Sequence, residues 1–122
     1  MAKKILIVDD EPDIVELIGM RLTAKSYDII KAFNGEDALR MAREEKPDLI
    51  ILDVLMPPPD GLQVCSTLKK DASYKNIPII LLSAKATEKD RETGKQCGAD
   101  EYLTKPFENK DLLDNIKKLL RE

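Results

Sequence analysis

Asp9 and Asp10 follow the apolar run Ile5-Leu6-Ile7-Val8, and Asp53 follows Leu49-Ile50-Ile51-Leu52. Ser83 follows Ile77-Pro78-Ile79-Ile80-Leu81-Leu82, and Lys105 follows Glu101-Tyr102-Leu103-Thr104. Three carboxylates, a hydroxyl and an ammonium each stand at the end of an apolar stretch, which outlines a metal and phosphoryl site. Carboxylates about 4 Å apart repel by about 4 kcal/mol at an effective dielectric of about 20, so gathering Asp9, Asp10 and Asp53 calls for a counter-charge. Oxygen ligands with no histidine or cysteine beside them favour Mg2+, which keeps several waters and bridges to phosphate oxygens. A carboxylate can attack a phosphoryl group and form an acyl phosphate when a cation and a hydrogen-bond donor neutralise the transferring oxygens. Asp53 suits the nucleophile, Lys105 the cation and Ser83 the donor. Taken singly, the Asp9-Asp10 pair fits a charged turn opening a helix just as well, Ser83 a solvated strand end and Lys105 a surface lysine. Their coincidence at several strand ends carries the reading.

The elements that must position these groups are legible as alternating patterns. Apolar runs and turn residues predict strands near 4–8, 28–32, 48–53, 77–82 and 100–104. Between them, helical spacing such as Ile14, Leu17, Ile18, Leu22 and Leu112, Leu113, Ile116, Leu119, Leu120 predicts helices near 12–25, 35–45, 61–71, 87–97 and 108–121. Pro12 suits a first helical turn, Asn34-Gly35 and Asp60-Gly61 suit helix starts, and Gly98 suits a helix C-terminus. The first, third and fourth strands are apolar throughout, as parallel strands covered on both faces are, whereas Asp28-Ile29-Ile30-Lys31-Ala32 suits an edge. The fold class expected is α/β: a doubly wound, five-stranded parallel sheet of order 2-1-3-4-5 with helices on both faces, a flavodoxin-like arrangement. Ligands in such sheets bind beyond the carboxyl ends of the strands at the topological switch point, here between the first and third strands, where Asp9, Asp10 and Asp53 fall.

Composition narrows the classes. The 122 residues carry no histidine, which excludes Ser-His-Asp and Cys-His catalysis, histidine zinc sites and a phosphohistidine carrier. A net charge of −3 from interspersed charges, with no basic block, gives no support for direct nucleic-acid binding. No apolar stretch approaches the roughly 20 residues needed to cross a bilayer, and no signal peptide precedes Lys3-Lys4, so a cytoplasmic protein without a membrane segment is expected. Cys65 and Cys97 have no metal-ligand spacing and read as free, packed thiols. No repeat, linker or second domain interrupts the chain, and residues 1–122 are expected to form one domain.

The ordered motifs resemble those of the receiver domains of two-component response regulators, of which the small chemotaxis regulator is the single-domain example. The resemblance spans the chain and rests on Ile7-Val8-Asp9-Asp10-Glu11, on Pro47-Asp48-Leu49-Ile50-Ile51-Leu52-Asp53 with Met56-Pro57 and Asp60-Gly61, on Ser83-Ala84, and on Gly98-Ala99-Asp100 leading to Lys105-Pro106-Phe107. It implies that Asp53 is the phosphoacceptor, receiving a phosphoryl group from phosphohistidine on a sensor histidine kinase or phosphotransfer protein. It implies that Mg2+ is held by Asp10, Asp53 and the backbone carbonyl of Leu55, with Asp9 acting mainly through water, while Lys105 and Ser83 meet the phosphoryl oxygens. It gives Tyr102 the role of a switch whose ring turns inward when the Ser83 hydroxyl moves, remodelling the face of the fourth helix, fifth strand and fifth helix toward a downstream protein or attached output domain. It also implies a cis Lys105-Pro106 bond. Without the resemblance, Tyr102 reads as a half-buried edge aromatic.

Departures from the common pattern are visible. Pro57-Pro58-Pro59 stiffens the segment after Asp53 and removes backbone donors. Leu55 and Lys85, each two positions past a site residue, flank the path of an attacking water, and Leu55 is expected to shield the acyl phosphate. The fourth helix is read as carrying Lys85, Glu88, Lys89, Asp90 and Arg91, and the fifth Asp114, Lys117, Lys118 and Arg121, a solvated charged face. Relatives joined to winged-helix DNA-binding domains dimerise through such a face, but Asn115 and Glu122 stand where they usually have basic residues, leaving monomer and phosphorylation-dependent dimer both open. The module is expected to catalyse only its own phosphoryl transfer and hydrolysis and to turn over no separate substrate. An aspartate-nucleophile phosphatase would need a second Asp where Leu55 stands, and a receiver-like module acting without phosphorylation remains the other alternative.

Overall fold

The computed structural model describes residues 2–85 and 87–122. Strands β1 (Lys4–Val8), β2 (Asp28–Ala32), β3 (Leu49–Asp53), β4 (Ile79–Ser83) and β5 (Glu101–Thr104) alternate with helices α1 (Pro12–Thr23), α2 (Gly35–Glu45), α3 (Gly61–Lys69), α4 (Glu88–Gln96) and α5 (Asn109–Leu120). The strands form one parallel sheet in the order β2-β1-β3-β4-β5. The expected fold class is therefore the observed one, with the polar β2 at one edge.

Side-chain alternation along the strands builds two cores. Leu6, Val8, Ile50, Leu52, Ile79 and Leu81 face α2 and α3, meeting Ala38, Ala42, Val64, Cys65 and Leu68. Ile5, Ile7, Leu49, Ile51, Ile80 and Leu82 face α1 and α5, meeting Val15, Ile18, Leu22, Leu112 and Ile116. Because β1, β3 and β4 are covered on both sides, their unbroken apolar sequences are what a buried parallel strand requires.

Local chemistry sets the boundaries. Asn34 and Asp60 cap α2 and α3 by accepting from Asp37 N and Gln63 N, and Gly98 (φ 94°) takes the left-handed turn after α4 that favours glycine. β4 begins at Ile79 rather than at Ile77, since Pro78 has no N–H to donate to a ladder; its carbonyl instead accepts from Ile50 N. β3 ends on Asp53, as the 48–53 span predicts, whereas β4 runs one residue past its predicted end to include Ser83. Lys85 lies in the β4–α4 loop, not on α4, whose start is fixed by the Thr87–Asp90 capping box. Lys105–Pro106 is cis, and so is Pro58–Pro59. Cys65 and Cys97 are free; the buried Cys65 thiol donates to the Cys97 carbonyl, and burial pushes its pKa up to about 12. On the α5 side, Lys118 pairs with Glu101.

Candidate functional site

Strand register assembles the site. Val8 pairs with Leu52, which sets Asp9 opposite Asp53, and Ser83 pairs with Thr104, which places Lys105 just beyond it. The Lys105 N–H donates to the Ser83 carbonyl at 2.8 Å and continues the β4–β5 ladder by one residue. All five groups thus reach one sheet edge, as their positions at strand ends require.

The Lys105 ammonium bridges two of the carboxylates, 2.9 Å from Asp53 Oδ1 and 3.0 Å from Asp9 Oδ2. Asp9 and Asp53 are almost fully buried, with 1% and 4% of their surface exposed, whereas Asp10 faces solvent. Asp9 Oδ1 also accepts from Glu11 N, which locks its orientation at the start of α1. One oxygen from each of Asp9, Asp10 and Asp53 falls within a cluster no wider than 4.8 Å. An all-oxygen set with one member open to water is the donor chemistry that suits Mg2+, so these residues fit the ion that the sequence implied.

Electrostatics follow from this crowding. Burial pushes the Asp53 carboxyl above its ordinary value, the charges of Asp9 and Asp10 push the same way, and the hydrogen bond from Lys105 only partly offsets them. Burial works against the Lys105 ammonium, yet its hydrogen bonds to Asp53 and Asp9 outweigh that effect and its pKa is raised. A carboxyl whose folded pKa is raised binds its proton more tightly when folded, so its ionisation takes stability away as pH rises above the ordinary 3.8. Asp53→Asn in metal-free buffer at neutral pH is therefore expected to stabilise the protein by about 1 kcal/mol, a rise of a few degrees in melting temperature. The gain should shrink on acidification toward pH 4; thermal unfolding across pH checks it, and a destabilised Asp53→Asn would contradict it.

Ser83 is fully buried, and its Oγ accepts from Lys85 N at 3.1 Å. Tyr102 is half-buried, and its hydroxyl donates to the Lys85 carbonyl at 2.8 Å. Both main-chain groups of Lys85 are thus held, a role that its side chain gave no sign of. Leu55 is exposed in the β3–α3 loop, where with Met56, Lys85, Thr93 and Tyr102 it lines a groove of about 210 Å³. Arg91, read from sequence only as part of a charged face, hydrogen-bonds to β5 through Tyr102 O and Thr104 Oγ1. No spacing in the chain signals that contact, because it depends on how α4 settles against β5.

Among the described residues no helix is long and apolar enough to cross a membrane. A family model for the response regulator receiver domain matches residues 5–117. The chain is 46% identical over 121 residues to the alkaline phosphatase synthesis transcriptional regulatory protein PhoP of Bacillus subtilis, covering 99% of this chain and 50% of that protein. It thus spans about half the length of this curated relative. A protein described as a response regulator of Chloroflexus aurantiacus superposes over 100% of both chains with a TM-score of 0.94 at 33% identity. The chemotaxis protein CheY4 of Vibrio cholerae superposes over 98% of this chain and 99% of its own, with a TM-score of 0.91 at 30% identity. With the family model matched over residues 5–117 and a relative 46% identical over 99% of this chain, the chain belongs to the family of response regulator receiver domains.

Proposed function

We propose that Asp53 is the phosphoacceptor of a two-component signalling module, taking a phosphoryl group from phosphohistidine on a sensor kinase or phosphotransfer protein. The observation that carries this reading is the Lys105 ammonium held between the buried carboxylates of Asp53 and Asp9. A carboxylate oxygen of Asp53 forms the new bond to phosphorus as the nitrogen–phosphorus bond of the donor breaks, and the imidazole leaves with the electron pair and takes a proton from solvent. Lys105 then balances the negative charge on the phosphoryl oxygens, and the Ser83 hydroxyl, on giving up the Lys85 N–H, donates to one of them. Asp10 and Asp53, with the Leu55 carbonyl, would hold Mg2+, and Asp9 would reach it through water. Bound there, the ion would supply charge neutralisation for the crowded carboxylates and the incoming phosphoryl oxygens. Hydrolysis of the acyl phosphate resets the module, and no separate substrate is turned over.

Movement of the Ser83 hydroxyl toward the phosphoryl group would vacate space that the Tyr102 ring turns inward to fill, so the state of Asp53 reaches the surface of α4, β5 and α5. Phosphorylation biases a pre-existing equilibrium because the new charge makes contacts in one conformation that it lacks in the other. That surface would bind a downstream protein or an attached output domain, in line with the transcriptional role named for the Bacillus subtilis relative. Intact mass after incubation with Mg2+ and acetyl phosphate tests the reading. One phosphoryl adduct on the wild type, absent in Asp53→Asn and in EDTA, is expected. A folded, Mg2+-binding protein with no adduct would point instead to an interaction module that works without phosphorylation.

A further inference from the structure

Helix α4 is held to the sheet by little apolar burial. Its sequence Glu88-Lys89-Asp90-Arg91-Glu92-Thr93-Gly94-Lys95-Gln96 buries one residue, Gly94. The Tyr102 ring lies so close to that glycine that an added Cβ would stand 2.8 Å from ring atom Cδ2. Arg91 covers the ring, its guanidinium carbon 5.5 Å from the ring centroid. The same guanidinium donates to the Tyr102 carbonyl at 3.3 Å and to Thr104 Oγ1 at 2.7 Å. Tyr102 therefore sits between α4 and β5 with its hydroxyl on the Lys85 carbonyl, and Lys85 N is held in turn by Ser83 Oγ.

These contacts form a closed ring of connections. Ser83 leads to Lys85, Lys85 to Tyr102, Tyr102 through Arg91 to Thr104, and Thr104 to Lys105, whose N–H returns to the Ser83 carbonyl. We propose that Arg91 is a positioning residue: a clasp between α4 and β5 that holds the Tyr102 ring against Gly94 and sets how strongly the state of Asp53 is transmitted to the α4–β5–α5 surface. The proposal deepens the switch reading above and rests on it.

The physical basis is a difference between two ring positions. With the ring against Gly94, Arg91 makes its cation–π contact and both hydrogen bonds to β5 together. A ring that swings out loses the hydroxyl contact with Lys85 and carries away the face over which the guanidinium lies. Contacts present in one position and missing in the other shift the balance between them. An exposed cation–π contact alone is worth about a fivefold change in such a ratio. Arg91 is exposed and its removal opens no cavity, so its loss should alter the balance and not the fold.

The test is 19F NMR of the chain carrying 3-fluorotyrosine, with Tyr102→Phe identifying the signal among the three tyrosines. Wild type, Arg91→Ala, Arg91→Lys and Gly94→Ala are compared with and without Mg2+ and acetyl phosphate, and intact mass is read on the same samples. Gly94→Ala, whose methyl group cannot coexist with the ring, marks the displaced position. Arg91→Ala is expected to move the ratio of the two positions about fivefold toward that marker, while forming the Asp53 adduct within about twofold of the wild-type rate. Arg91→Lys, which keeps a charge over the ring and loses the fork to β5, should fall between. An unchanged ratio in Arg91→Ala, with or without a lower melting temperature, overturns the proposal. Failure of the wild type to take an adduct would sink the phosphoacceptor reading instead, and the ring ratio in the unmodified protein would still decide the clasp.

Discussion

Lys105→Met is expected to slow formation of the Asp53 adduct about a hundredfold, the usual loss when one charge-stabilising group is removed from a site of this kind. The same variant should lose about 2 kcal/mol of stability at neutral pH in metal-free buffer. Removing one partner of a fully buried ion pair costs about 3–5 kcal/mol, and the figure is discounted here because the Lys105 side chain is 22% exposed. Without the ammonium, the Asp9 and Asp53 carboxylates face each other with only water as counter-charge, and their mutual repulsion is no longer offset. Acidification should close the gap to wild type, because protonating a carboxyl relieves the repulsion. The wild type has the opposite dependence at the alkaline end. Lys105 has a raised pKa, so the stability it contributes is complete below the ordinary 10.5 and is lost as pH rises through the raised value. Thermal unfolding of both proteins across pH checks each sign, and a parallel pair of curves would refute the account.

Gly61→Ala should be the most damaging small substitution near the site. A Cβ there would stand 2.1 Å from the Asp53 carbonyl oxygen and 2.8 Å from Val54 Cα, both backbone atoms with no rotamer to escape through. Gly61 N also donates to the Val54 carbonyl at 3.1 Å, so the first turn of α3 is built directly onto the end of β3. Relieving the clash means pushing α3 off the strand, at a cost of about 3 kcal/mol or more and with a shift of Asp53 itself. Displacement of a reacting group by about 1 Å can cost about a hundredfold in rate. Gly19→Ala is the control: the nearest atom to its Cβ is the flexible Lys31 Cε at 3.4 Å, within helix α1. That change should leave adduct formation intact and add up to about 1 kcal/mol through helix propensity. Equal effects at the two glycines would contradict the close approach at Gly61.

What the chain made legible follows from how parallel strands are buried. β1, β3 and β4 are covered on both faces and read as unbroken apolar runs, so their ends, and the Asp9, Asp53 and Ser83 groups there, stood out. Asn34 and Asp60 announced α2 and α3 because caps are local chemistry. Interactions between elements stayed hidden. Nothing local shows that Lys69 ties the Lys75 and Ile77 carbonyls to Asp100, or that Asp100 also accepts from Ile79 N at the start of β4. Arg91 stands among charges on a polar helix, and only the docking of α4 distinguishes it from its neighbours. The reach of Lys105 to both Asp9 and Asp53 likewise depends on four strands, β1, β3, β4 and β5, lying side by side.

Lys105 is delivered by β5, an edge strand of four half-buried residues formed late in the chain and paired only to β4. Asp9 and Asp53 come from the middle of the sheet and are in place whenever β1 and β3 pair. Edge strands of this kind open at lower free energy than the centre, through partial unfolding that leaves the rest intact. A molecule with β5 undocked would keep its three carboxylates and lose the ammonium and Tyr102 in one event. On the proposed reading, receptivity to a phosphoryl donor would then depend on the completed fold, because the ammonium reaches the carboxylates only once β5 has paired with β4.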